Sequence, residues 1–207
     1  MSHVVIILLF LLQNINASIA LYASNTLTKC ELYTKQLYID ENITVLNGEN
    51  KKISISDFRD NVLLIVFWAT WDSGYIDTIK KLDVLQKDFI KLPFKILPIS
   101  EDFSDIKNIL SFYTRYEIKH IPILQDQHNQ LLKSLTESGL PVSFLVDGEG
   151  KVIAKFLGLV NWSDNNIRQQ IINYIPGDHA LPRNSFKEPG IHYNPNMLHE
   201  ESKMKTQ

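Results

Sequence analysis

An α/β fold, with helices packed on both faces of one mixed sheet, is the architecture this chain predicts, and three features carry the expectation. Val62 to Phe67 is an unbroken apolar run rich in β-branched residues, which suits a strand buried on both faces. Shortly after it, Tyr75, Ile79, Leu82, Leu85 and Phe89 recur at three- and four-residue steps, the apolar stripe of an amphipathic helix. Strand and helix patterns then go on alternating, the order that layers helices over a sheet.

The bulk properties set limits on function. With 207 residues, 44% hydrophobic and 21% charged, the chain suits one domain with extensions at either end and can bury a core without disulfide staples. Its net charge is -2 and it has no long basic run, so nucleic acid is not an expected partner.

The N-terminus reads as a targeting segment. Val4 to Leu12 is a run of nine apolar residues, too short for the roughly 20 needed to span a bilayer. Polar Gln13, Asn14 and Asn16 follow, then Ser18-Ile19-Ala20, a small-x-small cleavage pattern. Residues 1–20 are therefore expected to be a signal peptide, with a mature start near Leu21. The n-region Met1-Ser2-His3 lacks Lys and Arg, and an uncleaved membrane anchor is the alternative. Residues 21–41 read as a mixed polar lead-in and 42–175 as the folded domain. Residues 176–207, with Pro182, Pro189, Pro195 and few apolar anchors, read as a flexible polar tail.

Within the domain each element has a local reason. Ile43–Leu46 and Ile53–Ile55 flank Asn47-Gly48-Glu49-Asn50, a turn sequence, and predict an N-terminal β-hairpin. After the Val62–Phe67 strand comes the striped helix, with Asp77–Lys81 and Asp83–Lys87 as i,i+4 pairs on its solvent side and Pro93 closing it. Phe94–Ile99 is the next strand, and Ser104 is placed to cap a helix from Asp105 to Tyr113. His120–Leu124 is a short extended piece whose Pro122 suggests an edge, followed by a brief helix over 129–135. Val142–Val146 and Val152–Leu157 are strands joined by a tight Asp147-Gly148-Glu149-Gly150 turn, for which hairpin chemistry outweighs a calcium loop. A last helix spans 163–174, ahead of Pro176-Gly177.

The most informative stretch is Phe67-Trp68-Ala69-Thr70-Trp71-Asp72-Ser73-Gly74-Tyr75. Three further patterns accompany it: Leu97-Pro98-Ile99-Ser100-Glu101-Asp102, Gly139-Leu140-Pro141-Val142-Ser143-Phe144-Leu145-Val146-Asp147, and Gly150-Lys151-Val152 leading to Gly158. Together, over about Asn42 to Tyr174, they resemble the TlpA/ResA-type exported thiol-disulfide oxidoreductases of the thioredoxin-like superfamily. The resemblance implies a thioredoxin-like α/β/α sandwich, a cis peptide bond at Leu140-Pro141 and a bacterial periplasmic location. Asn42-Ile43-Thr44 and Asn161-Trp162-Ser163 would be glycosylation sequons only in eukaryotic secretion.

The family's Cys-x-x-Cys would occupy the four positions after Trp71, where this chain carries Asp72, Ser73, Gly74 and Tyr75. The resemblance places the first cysteine at a helix N-terminus, where backbone N–H groups and the helix dipole favour an anion. Asp72 is expected to use the same field as a cap for the N–H groups of residues 74 or 75, rather than as a catalytic acid or base. Tyr75, in the place of the resolving cysteine and on the helix stripe, is expected in the core with its hydroxyl seeking a partner. The family often places an Asn two residues before the loop Trp and an acid three residues beyond the second cysteine; here these are Val66 and Thr78.

No catalytic residue is therefore expected from the former dithiol. The resemblance still implies a groove for an extended polypeptide, lined by Trp71, Asp72, Ser73, Leu140 and Pro141, with Trp71 as anchor and Trp68 in the core. Cys30 is the only cysteine, so no intramolecular disulfide can form; Lys29 before it also argues against a lipoprotein acylation box. The competing reading makes Cys30 the lone thiol of an oxidoreductase whose mixed disulfide is resolved by an external thiol. His120, His128, His179, His192 and His199 are scattered without metal-ligand spacing, and no metal or other cofactor is expected. The expected partner is a protein or peptide, and a membrane only if the N-terminal segment stays uncleaved.

Overall fold

The computed structural model describes residues 29–33, 36–135 and 139–177. The expected signal segment and all of the tail beyond Gly177, with His179, His192 and His199, lie outside the described residues. Eight strands form one sheet in the order β1-β8-β7-β4-β5-β6-β2-β3. They are β1 (Lys29–Leu32), β2 (Thr44–Asn47), β3 (Lys52–Ser54), β4 (Val62–Trp68), β5 (Phe94–Ser100), β6 (Leu124–Gln125), β7 (Val142–Val146) and β8 (Val152–Leu157). The helices are α1 (Tyr75–Asp88), α2 (Lys107–Tyr116), α3 (Gln130–Leu135) and α4 (Asn165–Tyr174). The sheet is mixed as expected: β4, β5 and β6 run parallel, and the remaining pairs are antiparallel.

β4 is the centre of the molecule, and every one of its residues is buried. Because side chains alternate across a strand, its two sets feed two cores. Val62, Leu64, Val66 and Trp68 pack with the apolar stripes of α1, α2 and α4. Leu63, Ile65 and Phe67 face the other way, against Leu131, Leu132 and Leu135 of α3 and the β2–β3 hairpin. Burial on both faces explains why β4 reads as a continuous apolar run rather than an alternating one.

Four sequence expectations are corrected. Residues 21–41 include β1, which pairs antiparallel with β8 from Lys29↔Leu157 to Leu32↔Ala154, while Tyr38 bridges Lys151. A four-residue edge strand depends on its partner more than on its own apolar pattern, which is why Lys-Cys-Glu-Leu reads as a lead-in. The second helix runs over 107–116 rather than 105–113. Asp105 accepts from the Lys107 N–H at 3.0 Å, the Ser104 hydroxyl accepts from the Asn108 side chain rather than from a helix N–H, and Glu117 ends the helix in the left-handed region at φ 56°.

The extended piece at His120–Leu124 contributes only Leu124 to a strand, and β6 lies between β5 and β2 rather than at an edge. Its earlier N–H groups are already engaged by Asp83, and Pro122 has none to give. Asp83 itself is the fourth correction. Instead of pairing with Lys87 in solvent it is buried, and it accepts from the N–H groups of Lys119, His120 and Ile121 and from the His120 ring. The Asp77–Lys81 pair forms as expected, at 2.7 Å.

Candidate functional site

The candidate site lies where β4 gives way to α1. Trp68, the last strand residue, is fully buried against Phe112 and Tyr113, with ring centroids 4.8 and 6.4 Å away. Three residues later Trp71 is 70% exposed. The turn between them is held from below: Asp102 accepts from the Thr70 N–H at 3.0 Å and from its hydroxyl at 2.7 Å, and from the Ser100 hydroxyl. Phe103, next in sequence to that anchor, is 75% exposed, so the tether sets two aromatic rings on two loops at the same end of the sheet.

At the start of α1 the Asp72 carboxylate accepts from the Gly74 N–H at 2.9 Å, and the Asp72 carbonyl from the Tyr75 N–H at 3.1 Å. The first is the bond expected of Asp72, made in the turn just before the helix, whose N-cap position is Gly74. A Cβ on Gly74 would stand 3.1 Å from Asp72 Oδ1, so the turn is closed to a larger residue without rearrangement. Tyr75 is 2% exposed on the α1 stripe, as expected. Its hydroxyl, however, meets no hydrogen-bond partner among the described residues. Burial, and then the Asp72 carboxylate, push its pKa up, so the phenol stays neutral.

The second wall is the entry to β7. Leu140-Pro141 is a cis peptide bond, as the resemblance implies. The register Phe67↔Val142 sets Pro141 beside the Trp68 end of β4. The Pro141 carbonyl accepts from the Gly158 N–H at 3.0 Å, and Gly158 turns at φ 84°, a conformation that favours glycine. Leu159, 53% exposed, then comes back towards Gly74. Trp71, Asp72, Ser73, Leu140 and Pro141 are thus brought to one end of the sheet. Phe103 and Leu159 join them without having been singled out in the sequence. Phe103 is an isolated apolar residue in a polar loop and Leu159 continues the apolar run that leaves β8, so neither pattern marks a site and only the tertiary arrangement gathers them.

Cys30 is not part of this site. It is exposed on β1 and aligns through Phe156 and Ser143 with Val66 of β4. Three strand spacings separate it from β4, about 14 Å. Loss of hydration, and then the neighbouring Glu31 carboxylate, push its thiol pKa up, which disfavours the nucleophilic thiolate. Among the described residues no group of His, Cys, Asp and Glu is arranged to hold a metal, and no helix is long and apolar enough to cross a membrane.

The model of the AhpC/TSA family matches residues 40–155, more than half the chain. The chain belongs to the AhpC/TSA family. Several of its relatives are thiol-disulfide oxidoreductases of the ResA kind. The ResA protein of Bacillus thuringiensis subsp. konkukian is 29% identical over 117 residues, which cover 56% of this chain and 66% of that protein. That of Bacillus subtilis strain 168 is 25% identical over 122 residues, covering 59% and 67%. The match to the first thus spans just under two thirds of its length. Among solved structures, a thiol:disulfide interchange protein DsbE from Chlorobium tepidum superposes with TM-score 0.60 at 19% identity, covering 70% of this chain and 99% of the other. A thiol:disulfide interchange protein from Bacteroides sp. gives 0.58 at 22% identity, covering 70% and 93%. These likenesses establish the thioredoxin-like fold of this AhpC/TSA family member.

Proposed function

We propose that this protein is a redox-silent member of the exported thiol-disulfide oxidoreductase group, acting in the bacterial periplasm. It holds an extended polypeptide or assembly partner in the groove of Trp71, Asp72, Ser73, Leu140 and Pro141 and exchanges no disulfide with it. One observation carries the reading: Asp72 and Tyr75 stand where a dithiol would, and the only cysteine lies three strands away on β1. Disulfide exchange needs an attacking thiolate and a resolving thiol within one disulfide length, and neither is at the groove. A carboxylate and a phenol can close a helix turn and fill a core, but they cannot form a mixed disulfide. The exposed Trp71, with Phe103 and Leu159 also exposed at the same end of the sheet, supplies apolar area of the kind that anchors a bound peptide. Export is supported by the Val4–Leu12 apolar run and the Ser18-Ile19-Ala20 pattern behind it.

The test is dithiol-driven insulin reduction by residues 21–207, alongside Cys30→Ser and the double variant Asp72→Cys/Tyr75→Cys. The native protein and Cys30→Ser are expected to be equally inert and the double variant active. Activity in the native protein that disappears in Cys30→Ser would overturn the proposal in favour of a lone-thiol oxidoreductase.

A further inference from the structure

Behind the candidate groove, just past the C-terminal end of β5, lies a buried carboxyl group, that of Glu101. Glu101 is 4% exposed, and neither of its carboxyl oxygens has a hydrogen-bond partner among the described residues. Buried acceptors without donors accumulate here. Of the six unpartnered buried side-chain polar atoms among the described residues, four are oxygens of Glu101, Gln125 and Asn129. A buried ionised carboxylate without donors is strongly disfavoured, whereas the neutral acid carries no such charge.

Its charged neighbours reinforce this. Asp102 follows it on the same loop, Asp126 comes from the turn between β6 and α3, and among the described residues Lys133 from α3 is the cation acting on it. Burial first, and then Asp126, push the Glu101 pKa up to about 8, against a partial opposing pull from Lys133. The two neighbouring carboxylates are not idle. Asp102 holds Thr70 beside Trp71 by two hydrogen bonds. Asp126 caps α3 by accepting from the N–H groups of Gln130, Leu131 and Leu132 at 2.9, 2.7 and 3.3 Å. The backbone locks the same segments together, since the Glu101 N–H donates to the Trp68 carbonyl at 2.8 Å and the Asp126 N–H to the Ser100 carbonyl at 2.9 Å.

We propose that Glu101 is a protonation switch for the groove end of the sheet: neutral, it lets Asp102 and Asp126 hold the Trp71 loop and α3 in place, and ionised, it repels both and loosens them. The proton leaves to solvent and no covalent chemistry is involved. The switch does not depend on what the groove holds. Glu101 in the unfolded chain has an ordinary glutamate pKa and in the folded chain a raised one. The stabilisation is therefore complete below about pH 4.5 and is lost as pH rises through about 8.

The experiment compares full-length native protein with Glu101→Gln, whose amide has the shape of the neutral acid, by thermal unfolding between pH 5 and 9. The native midpoint is expected to fall by roughly 10 °C more than that of Glu101→Gln over this range. In parallel, the amide resonance of Thr70 is followed by NMR. It is expected to move with a midpoint near pH 8 in the native protein and to stay in place in Glu101→Gln. Equal pH dependence in the two proteins would overturn the proposal. Should Glu101→Gln fail to fold, the carboxyl carbon of Glu101 is titrated in the native protein by carbon-13 NMR. A midpoint above pH 7 that coincides with the Thr70 shift is expected, and a midpoint in the ordinary glutamate range would overturn the switch.

Discussion

Asp83 illustrates how one side chain joins two distant pieces of chain. Its carboxylate is gripped by three consecutive backbone N–H groups, of residues 119 to 121, and by the His120 ring at 2.9 Å. Burial alone would raise its pKa, but the bonds from His120 and Lys119 outweigh that and leave it lowered. Replacing it by alanine strands those N–H groups, and Asp83→Ala is expected to cost about 3 kcal/mol in urea unfolding. Tyr75 is the opposite case, since its buried hydroxyl has no partner among the described residues to lose. Tyr75→Phe is accordingly expected to leave stability unchanged or raise it by up to about 1 kcal/mol in the same measurement. A drop of that size instead would mean that the hydroxyl bonds to a group outside the described residues.

Among the elements, α1 and the loop before it carry different duties. Leu82 is fully buried on the α1 stripe against β4, and Leu82→Ala is expected to cost about 3 kcal/mol, within the usual range for a leucine cavity. Trp71 lies only eleven residues earlier, yet it is mostly exposed. Trp71→Ala is expected to change unfolding free energy by less than about 0.5 kcal/mol while abolishing capture of a groove-bound peptide, read by calorimetry or by cross-linking at Ser73. Loss of stability without loss of capture would place Trp71 in the scaffold. The same division explains which elements are visible in advance. β4, α1, β5, β7, β8 and α4 declare themselves by period or by an unbroken apolar run. β1 and β6 do not, because four and two residues give no period to read and their strand character comes from the neighbours they pair with.

Over the whole molecule, two buried carboxyl groups shape the dependence of stability on pH in opposite directions. The Asp83 contribution is complete above the ordinary aspartate range and is lost as pH falls through its lowered value. The Glu101 contribution is complete below about 4.5 and is lost as pH rises through about 8. Urea midpoints are therefore expected to be higher at pH 5 than at either pH 3 or pH 9, and Asp83→Asn is expected to flatten only the acid limb. A maximum at pH 8 or above would contradict both the burial of Glu101 and the switch built on it.

The linear order of residues was enough to give this protein its layered α/β architecture, its family and the replacement of the dithiol by Asp72 and Tyr75. Those properties are written in local periodicity and in which atoms are present, and no folding is needed to read them. The tertiary structure alone decided that Asp83 is a buried clasp rather than a surface partner of Lys87, since an i,i+4 spacing cannot report a loop 36 residues away. It also decided that Asp102 tethers the turn before Trp71, that Phe103 and Leu159 are exposed at the same end of the sheet, and that Glu101 is buried where the Asp126 and Asp102 carboxylates act on it. Burial and long-range hydrogen bonding depend on which segments the sheet order brings together, and a carboxylate in a polar loop looks the same in sequence whether water reaches it or not.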